Sequence, residues 1–375
     1  MYTIDKGSEP AATNKTHYQI AVIPGDGIGP EVCKAAVDVI TAALEDQSLL
    51  SLEYLEAGAE CFRKSGDAFP AETLQACMQA DAILHGAAGL PDVCYEDGTE
   101  AGQDFSLNLR KALDLYANIR PIKLYAGVES TLRKASDDNI DYVIVRENTE
   151  GLYASRGGGN RVRDDVCTDT MVITRLGIER IVHAAAQLCM QRTGAPRDGR
   201  HRVTIVDKAN VLRSFAFFRD VADQVLAQYP EIEVEHVLVD AMTVHMLQRP
   251  DTFDVVVMEN ILGDILSDLG SATVGGMGMS PSAELSESCG YFQASHGSAP
   301  LIAGKNIANP VGTILASGYM LHWLGRRFAD NKLLIAAEKI ETAVTKALQN
   351  KSTHTVDLGG QATTRSCTQA IIDLL

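Results

Sequence analysis

The chain has 375 residues, with 33 Lys and Arg against 49 Asp and Glu, a formal net charge of −16. That sign disfavours nucleic-acid backbones and anionic membranes, so no nucleic-acid or membrane partner is expected, and any anionic ligand must meet a local cluster of Lys or Arg. With 46% hydrophobic and 22% charged residues the makeup is that of a globular protein. The length suits two domains or one large α/β unit.

The first 17 residues are polar and lack the apolar run of a signal peptide, so they read as a frayed leader. Strand-like and helix-like stretches then alternate. Residues 18–23 form a short apolar strand that ends in the turn Pro24-Gly-Asp-Gly-Ile-Gly29, and a helix is predicted over 30–45. Residues 81–86 form a second strand running into a glycine-rich turn. Residues 142–145, 203–206 and 253–258 are apolar enough to be buried strands, each followed by a helical pattern at 178–190, 214–228 and 264–271. Residues 152–173 differ: two strands around a glycine-rich turn, either a protruding hairpin that serves as a subunit arm or a mobile surface loop. Helices are predicted at 314–328, 333–349 and 367–375. The alternation indicates an α/β fold with a parallel or mixed sheet. No apolar run approaches the ~18 residues of a membrane span. The eight cysteines show no zinc-type spacing and read as reduced thiols, which suits a cytoplasmic location.

Several motifs carry chemistry. The glycine turn 25–29 is not the GxGxxG of a dinucleotide site; Pro30 and Glu31 after it look like a helix start. Arg110 falls on a helix, Arg120 is held extended by Pro121, and Arg146 sits at the exit of a strand. Three arginines at element ends can converge on carboxylates, which Arg binds bidentately. Asp264 and Asp268 are four apart and share one helix face. Among apolar neighbours such a pair needs a compensating cation, and oxygen ligands suit Mg²⁺ or Mn²⁺; the other reading is a capping pair on a surface helix. Asp240 is a possible third ligand. Lys208 follows a buried strand, where desolvation and nearby cations would lower its pKa, and Arg146 would favour the phenolate of Tyr153. Residues 295–300 and 306–310 form a small-residue loop that suits a flat base and a diphosphate, or is a plain connection.

Taken together these segments resemble the β-decarboxylating dehydrogenase family, which includes isocitrate, isopropylmalate, homoisocitrate, tartrate and D-malate dehydrogenases. Seven blocks stand in the family's order: residues 24–31, 113–121, 145–153, 207–211, 263–268, 296–300 and 307–310. The resemblance implies a two-domain, non-Rossmann α/β fold with a β-hairpin arm. Residues 1–115 plus 275–375 would form the cofactor-binding domain, and 116–274 a central dimerisation domain with the arm at about 152–173. It implies metal-dependent oxidative decarboxylation of a 3-substituted malate, a small anionic hydroxy-diacid, in a homodimer with shared active sites. Arg110, Arg120, Arg146 and Ser106 would bind substrate. Asp264, Asp268 and Asp240 of a second copy would hold Mg²⁺ or Mn²⁺. Lys208 and Tyr153 would be catalytic. Asn210, His296, Gly297, Ser298, Ala299, Pro300, Asn309 and Asp357 would bind the cofactor. Leu301 stands where NAD-dependent relatives carry Asp, yet Asp357 resembles them, so NAD is preferred over NADP. Ser106 replaces the Leu that meets the isopropyl group in many relatives, and Asp104 nearby would repel a third carboxylate, which favours a polar or small C3 group. The alternative is a non-catalytic regulatory subunit of a heteromeric isocitrate dehydrogenase, which would be expected to have lost a metal Asp, the Lys or the Tyr; all are present.

Overall fold

The computed structural model describes residues 15–133, 135–137 and 139–375; most of the polar leader, residues 1–14, lies outside them. From the N-terminus run β1 (Tyr18–Gly25), α1 (Gly29–Ala43), β2 (Leu50–Tyr54), α2 (Ala59–Ser65), α3 (Ala71–Gln79), β3 (Ala82–Ala87), α4 (Gln103–Ala112), β4 (Ala117–Lys123) and β5 (Asp141–Glu147). The middle holds β6 (Asn160–Val162), β7 (Val166–Thr168), α5 (Arg175–Gln191), β8 (Arg202–Asp207), α6 (Arg213–Leu226), β9 (Glu233–Leu238), α7 (Val239–Gln248), β10 (Val255–Met258) and α8 (Asn260–Thr273). The chain closes with β11 (Pro281–Leu285), β12 (Gly290–Ala294), α9 (Val311–Phe328), α10 (Asn331–Leu348) and α11 (Thr364–Ile372).

Ten strands form one mixed sheet in the order β2-β1-β3-β12-β11-β4-β5-β10-β8-β9. The first five come from the two ends of the chain and the last five from its middle; the halves meet where β11 pairs antiparallel with β4. Strands β3, β8 and β10 are buried at every position, as apolar runs covered by helices on both faces must be. Helix α9 is buried nearly all round and packs between α10, α1 and the β11–β12 pair. No helix among the described residues is long and apolar enough to cross a membrane, and all eight cysteines are free.

Two expectations change. The segment 152–173 contains a hairpin, but a short one: β6 and β7 pair over three positions, Arg161 opposite Cys167, with every residue exposed. Residues Leu152–Ser155, expected as strand, form a 3₁₀ turn. The helix expected from Asp264 begins four residues earlier, at Asn260, because Glu259 caps it: its carboxylate accepts from Ile261 N (3.1 Å) and Leu262 N (3.3 Å). Asp264 and Asp268 are therefore mid-helix residues, which removes the reading of them as a capping pair.

Candidate active site

Strands β4 and β5 pair antiparallel with Asn118 opposite Arg146, so Arg120, two residues along β4, emerges on the same side as Asn118. Helix α8 lies against this surface. A Cβ at Gly263 would stand 2.6 Å from Arg146 Cγ, so the glycine lets the arginine stem run along the helix. Arg146 is buried. It donates Nε (3.0 Å) and Nη2 (2.7 Å) to Asn260 Oδ1, and Nη1 to Asp264 Oδ1. Arg120 Nη1 donates to Ser267 Oγ (2.6 Å) and to the same Asp264 Oδ1 (3.3 Å), and its Nε to Asn118 Oδ1 (3.2 Å). Two buried guanidiniums thus share one carboxylate. Burial alone would raise the Asp264 pKa, but Arg146 and Arg120 outweigh it and hold the carboxyl down at about 2. Arg146 itself is brought down to about 10 by burial and then by the charge of Arg120, and Asp264 only partly opposes them.

Tyr153 Oη donates to Asp264 Oδ2 (2.7 Å). Its pKa is not lowered as expected. Burial and the Asp264 carboxylate push it up to about 12, and Arg146, 5.7 Å from the ring centroid, only partly opposes them. Tyr153 is a neutral phenol, a proton donor and not a phenolate.

The third arginine is engaged by a residue that sequence reasoning missed. Arg110 on α4 gives Nε (2.8 Å) and Nη2 (2.7 Å) to the two carboxylate oxygens of Glu284 on β11, which is wholly buried. Glu284 also accepts from Asn118 Nδ2 (3.3 Å), Asn148 Nδ2 (2.9 Å) and Gln293 Nε2 (2.8 Å). Burial works against its charged form, yet Arg110 and these donors bring its pKa below the ordinary range. The three arginines do converge, as expected, but on the protein's own acids. One hint of Glu284 lies in the chain: a lone acid inside the otherwise apolar and small stretch 281–285. Ser106, also buried, meets Tyr291 Oη at 3.4 Å beside this network.

These groups open on one cleft of about 880 Å³, lined by Ser106, Arg110, Arg120, Arg146, Tyr153 and Asp264. Lys208, Asn210, Asp240 and Asp268 do not line it within a single chain. Lys208 is not enclosed among cations, contrary to expectation: it lies partly exposed at the end of β8 with Nζ 2.5 Å from Asp240 Oδ1. That contact lowers the Asp240 pKa through a hydrogen bond from the ammonium. Asn210 is exposed next to it. Asp268, one turn along from Asp264, is still reached by solvent, although the surrounding protein raises its carboxyl. Among the described residues the group with three ligand atoms within 4.8 Å of one another is instead Cys189, His201 and Asp254, where His201 and Asp254 immediately precede β8 and β10. There Arg192 Nε already occupies Asp254 Oδ1 (2.6 Å).

A second cavity of about 440 Å³ adjoins the first at His296, which lines both. Ala299, Asn309 and Asp357 line it, and among its lining residues there is no Lys or Arg. Asn309 Nδ2 donates to Asp357 Oδ2 (3.0 Å), and Thr355 Oγ1 to Asp357 Oδ1 (2.5 Å). Leu301 points away from any such role: it is 86% exposed. From the glycine turn at 25–29, Ile28 lines the second cavity. Ile28 N donates to Ser298 O (2.8 Å), and a Cβ at Gly27 would stand 2.0 Å from that oxygen. Asp26, buried, accepts from Ala59 N (2.8 Å), Glu60 N (2.9 Å) and Gly89 N (2.7 Å). Ser298 Oγ donates to Gly89 O. The turn thus stitches the 296–300 loop to the sheet, which is why its spacing departs from a phosphate-binding fingerprint.

The isocitrate/isopropylmalate dehydrogenase model matches residues 19–375. The chain belongs to that family. It is 41% identical over 348 residues to a 3-isopropylmalate/3-methylmalate dehydrogenase of Methanocaldococcus jannaschii, covering 92% of this chain and 96% of the relative. It is 40% identical over 362 residues to the 3-isopropylmalate dehydrogenase of Bacillus subtilis, covering 95% of each. Among solved structures it superposes on an isocitrate dehydrogenase from Methylococcus capsulatus with a TM-score of 0.83 and 34% identity, over 95% of this chain and 99% of that one. A beta-decarboxylating dehydrogenase from Thermococcus kodakarensis gives 0.74 and 35%, over 95% and 96%. The mixed α/β architecture around a large central sheet is that of the family.

Proposed function

We propose that this chain catalyses the oxidative decarboxylation of a 3-substituted malate with hydride transfer to NAD⁺, as a cytoplasmic homodimer with shared active sites. The observation that carries the reading is the cleft: three buried arginines, an ionised Asp264 and a neutral Tyr153 face one space that adjoins a second cavity at His296. The terminal segments (1–115 and 275–375) would form the cofactor domain and 116–274 the dimerisation domain, with the β6–β7 hairpin as its clasp. Val244 and Leu247 on α7 and Ile265 on α8 are exposed apolar side chains on two helices in mutual contact, a face that a second copy would cover.

The donor set fits a hard divalent cation. Asp264 stays ionised, Asp268 lies one turn away, and Asp240 is exposed, so that a second copy could present it. When bound there, Mg²⁺ or Mn²⁺ would supply Lewis-acid polarisation of the substrate's C2 oxygen and of the electrons released at decarboxylation. The remaining work falls to the chain. Arg120 and Arg146 orient the carboxylates of the malate core; binding frees them from sharing Asp264. Lys208 of the second copy, freed from Asp240 and having released its ammonium proton to solvent, accepts the C2 hydroxyl proton as the neutral amine while hydride leaves C2 for the nicotinamide. When the C3 carboxyl departs as CO₂, C3 takes its proton from Tyr153, whose high pKa keeps it protonated until then. Asn210 of the second copy would sit near the nicotinamide, and Gly297, Ser298 and Pro300 would carry the loop against the cofactor. Asn309 and Asp357 would hold the adenosine ribose. Among the described residues that line this cavity Asp357 is the one charged group and no Lys or Arg is present for a 2′-phosphate, which favours NAD over NADP.

The test is NADH or NADPH formation by the purified chain from a panel of 3-substituted malates, with Mn²⁺ and with EDTA. Mn²⁺-dependent NADH formation supports the reading. A folded protein silent across the panel contradicts it and favours the regulatory-subunit alternative.

A further inference from the structure

The arginines of the cleft differ in how much charge is left to them. Arg120 and Arg146 share the single carboxylate of Asp264, so that end of the cleft carries surplus positive charge. The wall running from there along α4 does not. Arg110 spends two donors on both oxygens of Glu284, in a pair whose side chains are 10% and 0% exposed. Arg156 gives Nε to Asp104 Oδ1 (2.6 Å) and Nη2 to Glu100 O (2.6 Å), and the other oxygen of Asp104 accepts from Tyr95 Oη (2.6 Å). Arg161 pairs with Asp164 (3.1 Å). Two further carboxylates, Asp97 and Asp169, line the same stretch, and Asp97 accepts from Thr99 N (2.9 Å) and Oγ1 (2.7 Å). Leu107, Leu152 and Ile261 give the cleft apolar surface. The space is polarised: surplus cation at Asp264, and charge balanced or negative beyond it.

A hydroxy-diacid core is drawn to the first end. Whatever hangs from C3 must project into the remaining volume. A carboxylate there would lose water and, among the described residues lining the cleft, meet no cation lacking a carboxylate partner, while facing two more acids. An uncharged group meets paired charges and apolar surface. Resting on the decarboxylating reading above, we propose that Glu284 and Asp104, by neutralising Arg110 and Arg156, set the charge specificity of the site: the C3 substituent is an uncharged alkyl or hydroxyl group and not a third carboxylate. The Asp104 repulsion expected from the sequence is thus not direct, since Arg156 cancels it; the exclusion comes from the absence of a cation to spare.

The experiment is a comparison of kcat/KM, with NAD⁺ and Mn²⁺, for 3-isopropylmalate, 3-methylmalate and tartrate against isocitrate and homoisocitrate. The wild-type chain should favour its best uncharged substrate over either tricarboxylate by about 100-fold or more, the scale of one desolvated unpaired charge. Glu284→Gln and Asp104→Asn each release one arginine and should move that ratio about 10-fold or more toward the tricarboxylates. Should Glu284→Gln not fold, Asp104→Asn, at a partly exposed position, carries the test. A wild-type preference for isocitrate or homoisocitrate, or an unmoved ratio in Asp104→Asn, overturns the proposal while leaving the reaction intact. Silence of the folded wild-type chain on all five substrates instead removes the reaction itself, and this inference with it.

Discussion

Replacing Asp264 by Asn probes the centre of the cleft with almost no change of shape. The carboxylate takes hydrogen bonds from Arg146, Arg120 and Tyr153. Its loss leaves two guanidiniums, whose side chains are 1% and 5% exposed, facing one another with neutral acceptors only. Breaking a fully buried pair costs about 3–5 kcal/mol. The Asp264 side chain is 37% exposed, so solvent screens part of the attraction, and the expected loss is about 2 kcal/mol. Arg146, already brought down to about 10, should fall further. Asp268→Asn is the control. That group accepts no hydrogen bond from an arginine and its carboxyl is raised, not lowered, so neutralising it should change stability by less than about 0.5 kcal/mol. Urea denaturation of the metal-free variants measures both. A loss below about 0.5 kcal/mol for Asp264→Asn, or equal losses for the two, would refute the picture of one carboxylate balancing two cations.

Other consequences follow from single contacts. Gly263→Ala should gain up to about 1 kcal/mol in helix propensity but lose more by pushing Arg146 from α8; substrate KM should rise at least about 10-fold, as steady-state kinetics would show. Tyr153→Phe should still reduce an added β-keto acid with NADH, while CO₂ release slows about 10²- to 10⁴-fold; unimpaired decarboxylation would remove Tyr153 from the proton-donor role. His85 is wholly buried between Phe105 and Tyr291, and burial lowers its pKa from 6.5 to about 4. Because the fold keeps this ring neutral while the unfolded chain protonates it, stability is complete above pH 6.5 and falls by about 3 kcal/mol as pH drops toward 4. Denaturation at a series of pH values should show His85→Gln losing that part of the acid sensitivity.

Much of this site was legible in the chain because its parts sit at element ends, where spacing carries meaning. Arg146 closes an apolar strand, and Asp264 and Asp268 repeat at helical spacing; both were placed correctly by pattern alone. The start of α8 was missed because Glu259 caps it by folding back on Ile261 and Leu262, a role that a strand-end Glu does not announce. Glu284 was missed for a deeper reason. It lies 174 residues from Arg110 in sequence, and only the antiparallel β11–β4 pairing brings its strand to the cleft. The ionisation of Tyr153 was misjudged for the same reason: the sequence shows the nearby Arg146 but not the Asp264 carboxylate, 111 residues away, that holds the phenol proton. Long-range partners of titratable groups are what local pattern cannot supply.

The decisive measurement of a cation held between two copies is manganese binding, followed by the EPR signal of free Mn²⁺ during titration of the whole chain. One tight site per chain is expected, lost in Asp264→Asn and lost equally in Asp240→Asn, although Asp240 lies outside the cleft of its own chain. Full Mn²⁺ affinity in both variants would contradict it.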